Sequence, residues 1–107
     1  DRCEQVWLCG PQLDQADRAG LVVIHCRADE APVYLRAASA MREQLRQFNV
    51  ETLVAVIGEF NCDASSVPVY RSPSTMPATA LYGQDGALRM ALTGLPPIAA
   101  IRRLTME

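Results

Sequence analysis

Apolar side chains fall along this chain in three kinds of pattern, and each predicts an element. Two consecutive, largely β-branched runs, residues 21–26 (L-V-V-I-H-C) and 52–57 (T-L-V-A-V-I), read as strands buried on both faces. Between them Leu35, Ala38, Met41, Leu45 and Phe48 recur at steps of three and four, the stripe of an amphipathic helix. Asp29 is its predicted N-cap, with Glu30 and Pro32 in the first turn. Further on, residues 78–82 and 87–92 read as strands joined by the hairpin turn Gly83-Gln84-Asp85-Gly86. Residues 4–9 read as a short strand closed by Gly10-Pro11, and residues 12–19 as a turn or two of helix. Pro96-Pro97 opens a last helix with Ile98, Ile101 and Leu104 on one face.

The link from residue 59 to residue 76 has no period and contains Pro68, Pro73 and several serines. A stretch that long should conceal a short element or a functional surface. The predicted order is β-α-β-α-β, the link, then β-β-α. Crossovers would make the first three strands parallel, and the last pair is antiparallel. The expected class is α/β: three parallel strands plus a C-terminal antiparallel hairpin in one mixed sheet, helices on both faces, one domain over residues 1–107.

Charge and cysteine usage narrow the partners. Ten basic and twelve acidic residues give a formal net charge of −2, without the basic patch that a nucleic acid requires. The longest apolar runs are too short to cross a bilayer, so no membrane span is expected in this chain. The chain opens Asp1-Arg2-Cys3 with no methionine or hydrophobic leader, read as a processed mature form or an excised domain. Four cysteines in 107 residues point to an oxidising compartment, periplasmic or secreted, with the cytoplasm as the alternative.

Met76-Pro77 followed by a strand, Asp85-Gly86, a second strand, Gly94 and an amphipathic helix resembles the C-terminal half of the thioredoxin family. The resemblance runs from about residue 4 to residue 104. It implies a thioredoxin-like fold with a cis peptide bond before Pro77, that proline facing the site. The N-terminal half departs from the family, whose central strand leads into a helix opened by Cys-x-x-Cys. Laying residues 21–26 on that strand puts Asp29 and Pro32 in the two cysteine positions. Asp29-Glu30-Ala31-Pro32 cannot exchange a disulfide; the helix start that would stabilise a thiolate instead favours a carboxylate. The A-D-E-A-P-V-Y loop at residues 28–34 and the Y-G-Q-D-G hairpin at residues 82–86 resemble those of short, redox-inactive bacterial thioredoxin-like proteins of uncharacterised function.

In such a fold Cys9, Cys26 and Cys62 gather at the carboxyl edge of the sheet, where open α/β sheets place their ligands. A Cys26–Cys62 or a Cys9–Cys62 disulfide is then reasonable, whereas Cys3 and Cys9 stand too far apart within one strand. The cysteine spacings match no zinc pattern, His25 is the sole histidine, and no metal or cofactor is expected. The order His25-Cys26-Arg27 before a helix invites comparison with cysteine phosphatases and rhodanese-type sulfurtransferases. That reading is disfavoured: Pro32 occupies the position of the phosphate-binding arginine, and Asp29 and Glu30 repel an anion. His25 and Cys26 alternate in a strand and point to opposite faces, which argues against a catalytic pair.

Two functions remain. One is a redox-inactive protein-binding or assembly module using a surface of Asp29, Glu30, Met76 and Pro77, with Tyr70 and Arg71 as exposed recognition residues of the link. The other is an atypical thiol oxidoreductase using Cys26 with Cys62 or Cys9, which requires an accessible Cys26 of lowered pKa.

Overall fold

The computed structural model describes residues 6–13 and 18–94. Its strands are β1 (Trp7–Cys9), β2 (Gly20–Arg27), β3 (Val50–Ile57), β4 (Val69–Arg71), β5 (Ala78–Gly83) and β6 (Leu88–Leu92), with one α-helix, α1 (Ala31–Leu45). The last predicted helix, residues 96–107, and the middle of the predicted helix at 12–19 lie outside the described residues.

The two apolar runs are the centre of the sheet. β2 pairs with β3 in parallel over its whole length, from Gly20↔Val50 to Arg27↔Ile57. The six strands lie in the order β1-β4-β3-β2-β5-β6. β4 joins β3 in parallel, while β5 joins β2 and β6 joins β5 antiparallel. The sheet therefore holds three parallel strands, β4, β3 and β2, followed by the antiparallel hairpin.

Alternation along the strands splits the interior in two. Val22, Ile24, Cys26, Val50, Val54, Val56, Val69 and Leu81 pack with Ala31, Ala38, Met41 and Leu45 of α1. On the other face Val23, Leu53, Ala55 and Tyr70 form a smaller cluster with Leu13, Leu21 and Tyr82. Removing a side chain such as Ile24 or Leu45 from water contributes about 1.5–3 kcal/mol. The same burial fixes register, since a one-residue slip would turn each strand's apolar set outward.

Three expectations change and one is met. The first strand is not parallel to the next two: β1 runs antiparallel to β4, with Trp7 opposite Tyr70 and Cys9 opposite Val69. A parallel return needs a dozen or more residues, and residues 10–19 are too few. The long link does conceal an element, β4, which separates β1 from β3. Asp29 does not cap the helix; it sits in a 3-10 turn, Ala28–Glu30, with no side-chain cap bond there or at α1. Pro32 does fall in the first turn of α1, where its missing N–H costs nothing. The helix ends at Leu45 rather than Phe48; a 3-10 turn, Arg46–Phe48, follows, and Asn49 at φ 61° turns the chain into β3.

Candidate functional site

The parallel strands end together, and two segments meet at that end. β2 leaves the sheet at Arg27 into Ala28–Glu30 and α1. Because His25 is the register partner of Ala78, the chain entering β5, Met76-Pro77, arrives at that same end. The topology thus puts the helix start with Asp29, Glu30 and Pro32 and the Met76-Pro77 segment at the same end of the sheet. Both segments present apolar side chains to water: Met76 is 66% exposed, and Val33 in the first turn of α1 is 67% exposed. A shallow groove of about 390 Å³ runs along the start of α1 between Glu30, Val33, Tyr34 and Ala37.

The Met76 loop is held by serines. Ser72 Oγ accepts the backbone N–H of Ser74 at 3.0 Å. Ser74 Oγ accepts the N–H of Met76 at 3.1 Å and donates to its carbonyl oxygen at 3.0 Å. The bond before Pro77 is trans, since no described peptide bond is cis. The expected cis bond is absent; the serine-bonded turn reverses the chain ahead of β5 instead.

The cysteines resolve differently from either pairing of Cys26. Cys9 and Cys62 form a disulfide with their Cα atoms 5.9 Å apart, and Cys26 is free. Cys9 does not reach the carboxyl edge. Antiparallel β1 holds it level with Val69 and Val54, short of the end of β3. Cys62 comes to it because the segment after β3 folds back beside α1, where Ser66 meets Ser39 and Arg42. Arg42 also binds Glu51 at 2.8 Å, tying α1 to β3 and this segment at once.

Cys26 is fully buried between β2 and α1. Burial, followed by the nearby Glu30 carboxylate, pushes its thiol up to about 11. Attack requires the thiolate, so a thiol both enclosed and protonated is a poor nucleophile and a poor exchange partner. This opposes Cys26 as an oxidoreductase, phosphatase or sulfurtransferase residue.

Tyr70 is the other correction. It is 8% exposed, on the face away from α1, and its hydroxyl accepts the N–H of Leu13 at 3.2 Å. Its neighbour Arg71, alternating to the other side, is exposed. His25 Nδ1 lies 2.7 Å from Ser72 Oγ, and burial holds the imidazole below its usual pKa. Among the described residues no three His, Cys, Asp or Glu side chains gather as a metal site, and no helix is long and apolar enough to cross a membrane.

No protein-family model matches the sequence, and a search of curated proteins finds no match. Solved structures do match. The exposed lipoprotein thioredoxin of Streptococcus pneumoniae superposes with a TM-score of 0.60 at 16% identity, covering 96% of this chain and 98% of that one. The N-terminal domain of PilB from Neisseria gonorrhoeae gives 0.54 at 15% identity, over 85% of this chain and 78% of that one. DsbF of MTB gives 0.52 at 10% identity, over 82% and 79%. The fold is thioredoxin-like. At these identities the likeness concerns architecture alone, so the chemistry is read from this chain's residues.

Within this thioredoxin-like frame the sequence reading missed Val33, Ser72 and Ser74. Val33 was detectable: it lies two positions before Leu35, about 200° round the helix from the buried stripe. An apolar residue there must face outward. The serines carried no signal of their own, because their role comes from where β4 ends.

Proposed function

We propose that this domain is a redox-inactive thioredoxin-like module that binds another protein at the carboxyl end of its parallel strands, in an exported or periplasmic setting. The observation that carries the reading is the state of the helix start. The resemblance lays Asp29 and Pro32 on the two positions of a reactive dithiol, and the one free described cysteine, Cys26, is buried with its thiol pushed up to about 11, which supports this reading. The binding surface comprises Asp29, Glu30, Val33, Met76 and Pro77, with Arg71 at the end of β4. Exposed Val33 and Met76 supply the apolar contact, and the two carboxylates supply orientation. An apolar centre with charged groups around it suits a protein partner.

Two facts support the setting. The Cys9–Cys62 disulfide persists in an oxidising compartment and not in a reducing one. One structural neighbour is an exposed lipoprotein.

An insulin-reduction assay with a photo-cross-linking experiment tests the proposal. The purified domain should give no turnover, and a cross-linker at position 33 or 76 should capture a discrete partner in the source organism where one at Leu88 does not. Turnover that survives Cys26→Ser and disappears in Cys62→Ser would replace this reading with thiol exchange at Cys9–Cys62.

A further inference from the structure

Ser72, just past the end of β4, joins the sheet to the loop that carries Met76. Its backbone N–H donates to the Val56 carbonyl at 2.8 Å, which fixes it beside the end of β3. Its Oγ lies 2.7 Å from His25 Nδ1 and accepts the N–H of Ser74 at 3.0 Å. Ser74 Oγ in turn holds both the N–H and the carbonyl oxygen of Met76. His25, Ser72, Ser74 and Met76 thus form a series from an imidazole on the sheet to an exposed thioether. Among the described residues the His25–Ser72 contact is the one side-chain hydrogen bond between residues 72–77 and the rest of the molecule.

That contact suits a neutral ring in either tautomer, since a hydroxyl donates to a bare Nδ1 or accepts from Nδ1–H. A charged ring fits the place badly. His25 is half-buried on the face away from α1, with Val23 in its own strand and Ala55 and Ala78 as register partners. The charged or titratable groups on that face are Arg27, two residues on in β2, Tyr70 of β4, and Tyr82 and Arg18 along the adjoining groove. Arg18 has an interaction of its own. The carboxylates of the neighbouring elements are engaged elsewhere: Glu51 of β3 binds Arg42, Asp85 in the β5–β6 turn binds Arg89, and Glu30 acts on Cys26 on the opposite face. Burial alone acts on the imidazole, and it disfavours the charged form. The ring also has a way out. With Pro73 it lines an open groove of about 440 Å³, so a turn about its side-chain bonds carries it to water and away from Ser72.

We propose that His25 is a pH-sensitive latch on the Met76 loop. The neutral ring holds Ser72 and keeps the loop in place; the protonated ring turns to water, frees Ser72 and loosens residues 72–77. Met76 is then held in position at neutral pH and released in acid. That this regulates binding rests on the protein-binding reading above; the latch itself does not.

The test is an NMR titration of the full chain from neutral pH down to about pH 4.5, following the His25 ring, the Met76 methyl and the amides of Ser74 and Met76. The Met76 methyl should titrate with the midpoint of the ring. Hydrogen-exchange protection at Ser74 and Met76 should fall by about tenfold across it, while the Met90 methyl and the circular dichroism spectrum stay unchanged. Ser72→Ala should leave the ring titrating and uncouple Met76 from it. His25→Gln should remove the transition altogether; should that variant fail to fold, the wild-type titration and Ser72→Ala decide the matter. Met76 signals that stay still through the ring's titration, or that follow it equally in Ser72→Ala, overturn the proposal. So does a ring that titrates only as the whole domain unfolds. A working latch in a domain whose positions 33 and 76 cross-link no partner confirms the latch and removes the binding reading alone.

Discussion

Cys9 and Cys62 are joined across 53 residues, linking strand β1 at the sheet edge to the segment that folds back beside α1. A closed loop of that length restricts the unfolded chain by about 4 kcal/mol in the loop-entropy treatment. Cys62→Ser should therefore lower the unfolding free energy by about 3–4 kcal/mol, read from denaturant titration. A non-reduced digest should yield one peptide pair containing Cys9 and Cys62, with Cys26 recovered as a free thiol.

Cys26 should resist maleimide in the native protein and react only on unfolding. Its pKa is raised in the folded state, from the ordinary 9.0 to about 11, so the associated stability is complete below pH 9. That stability is lost as pH rises from about 9 to 11, because the unfolded chain releases the proton first. Cys26→Ala should remove this alkaline loss. Cys26→Ser should cost about 1–3 kcal/mol through a buried hydroxyl without a partner.

His25 has the opposite dependence. Its folded pKa lies below 6.5, so the unfolded chain binds the proton first as the solution is acidified. Stability is complete above that value and declines as pH falls through the folded pKa, by at most one proton's slope. Melting temperature should drop between neutral pH and pH 5, and His25→Gln should flatten that part of the profile.

Gly10 takes φ +80°, and a Cβ built there would overlap the carbonyl oxygen of Val67. Gly10→Ala combines an unfavourable backbone with a clash against main chain that cannot swing aside. A loss of about 2 kcal/mol or more is expected by thermal or chemical denaturation, concentrated at the β1 edge in hydrogen exchange. Gly86, also at positive φ, has open space around its Cβ position. Gly86→Ala should cost about 1 kcal/mol, from backbone strain alone.

The pair Arg42–Glu51 is partly shielded, its side chains retaining 18% and 25% of their exposure, and Arg42 also donates to the Ser66 carbonyl. Arg42→Met keeps the apolar stem and removes three hydrogen bonds. It should cost about 1–3 kcal/mol, more than an exposed pair such as Asp85–Arg89.

The parts of the fold legible in the sequence are those with local causes. Residues 21–26 and 52–57 are apolar because both their faces are covered, and the stripe from Leu35 to Leu45 repeats because a helix turns every 3.6 residues. Gly83-Gln84-Asp85-Gly86 carries its turn in its own chemistry, including the Asp85 carboxylate that accepts the N–H of Ala87. Strand direction at β1 was not local: it depends on pairing with β4, sixty residues later. The Cys9–Cys62 bond stood among the alternatives, but for the wrong edge of the sheet. Tyr70 sits in a polar link and reads as exposed; only the pairing of β4 with β3 turns it inward.

The place of β4 in the sheet also dictates when the chain can finish. β1 has its described partner only in β4, so this strand waits for residues 69–71 before that pairing can form. During that interval Cys9 precedes Cys62 by 53 residues, while Cys26 is already present and not yet sealed under α1. A chain that meets oxidant as it emerges therefore holds Cys3, Cys9 and Cys26 before Cys62 is present. In the finished fold α1 seals Cys26 in the core, and only Cys62 is left within reach of Cys9 among the described cysteines.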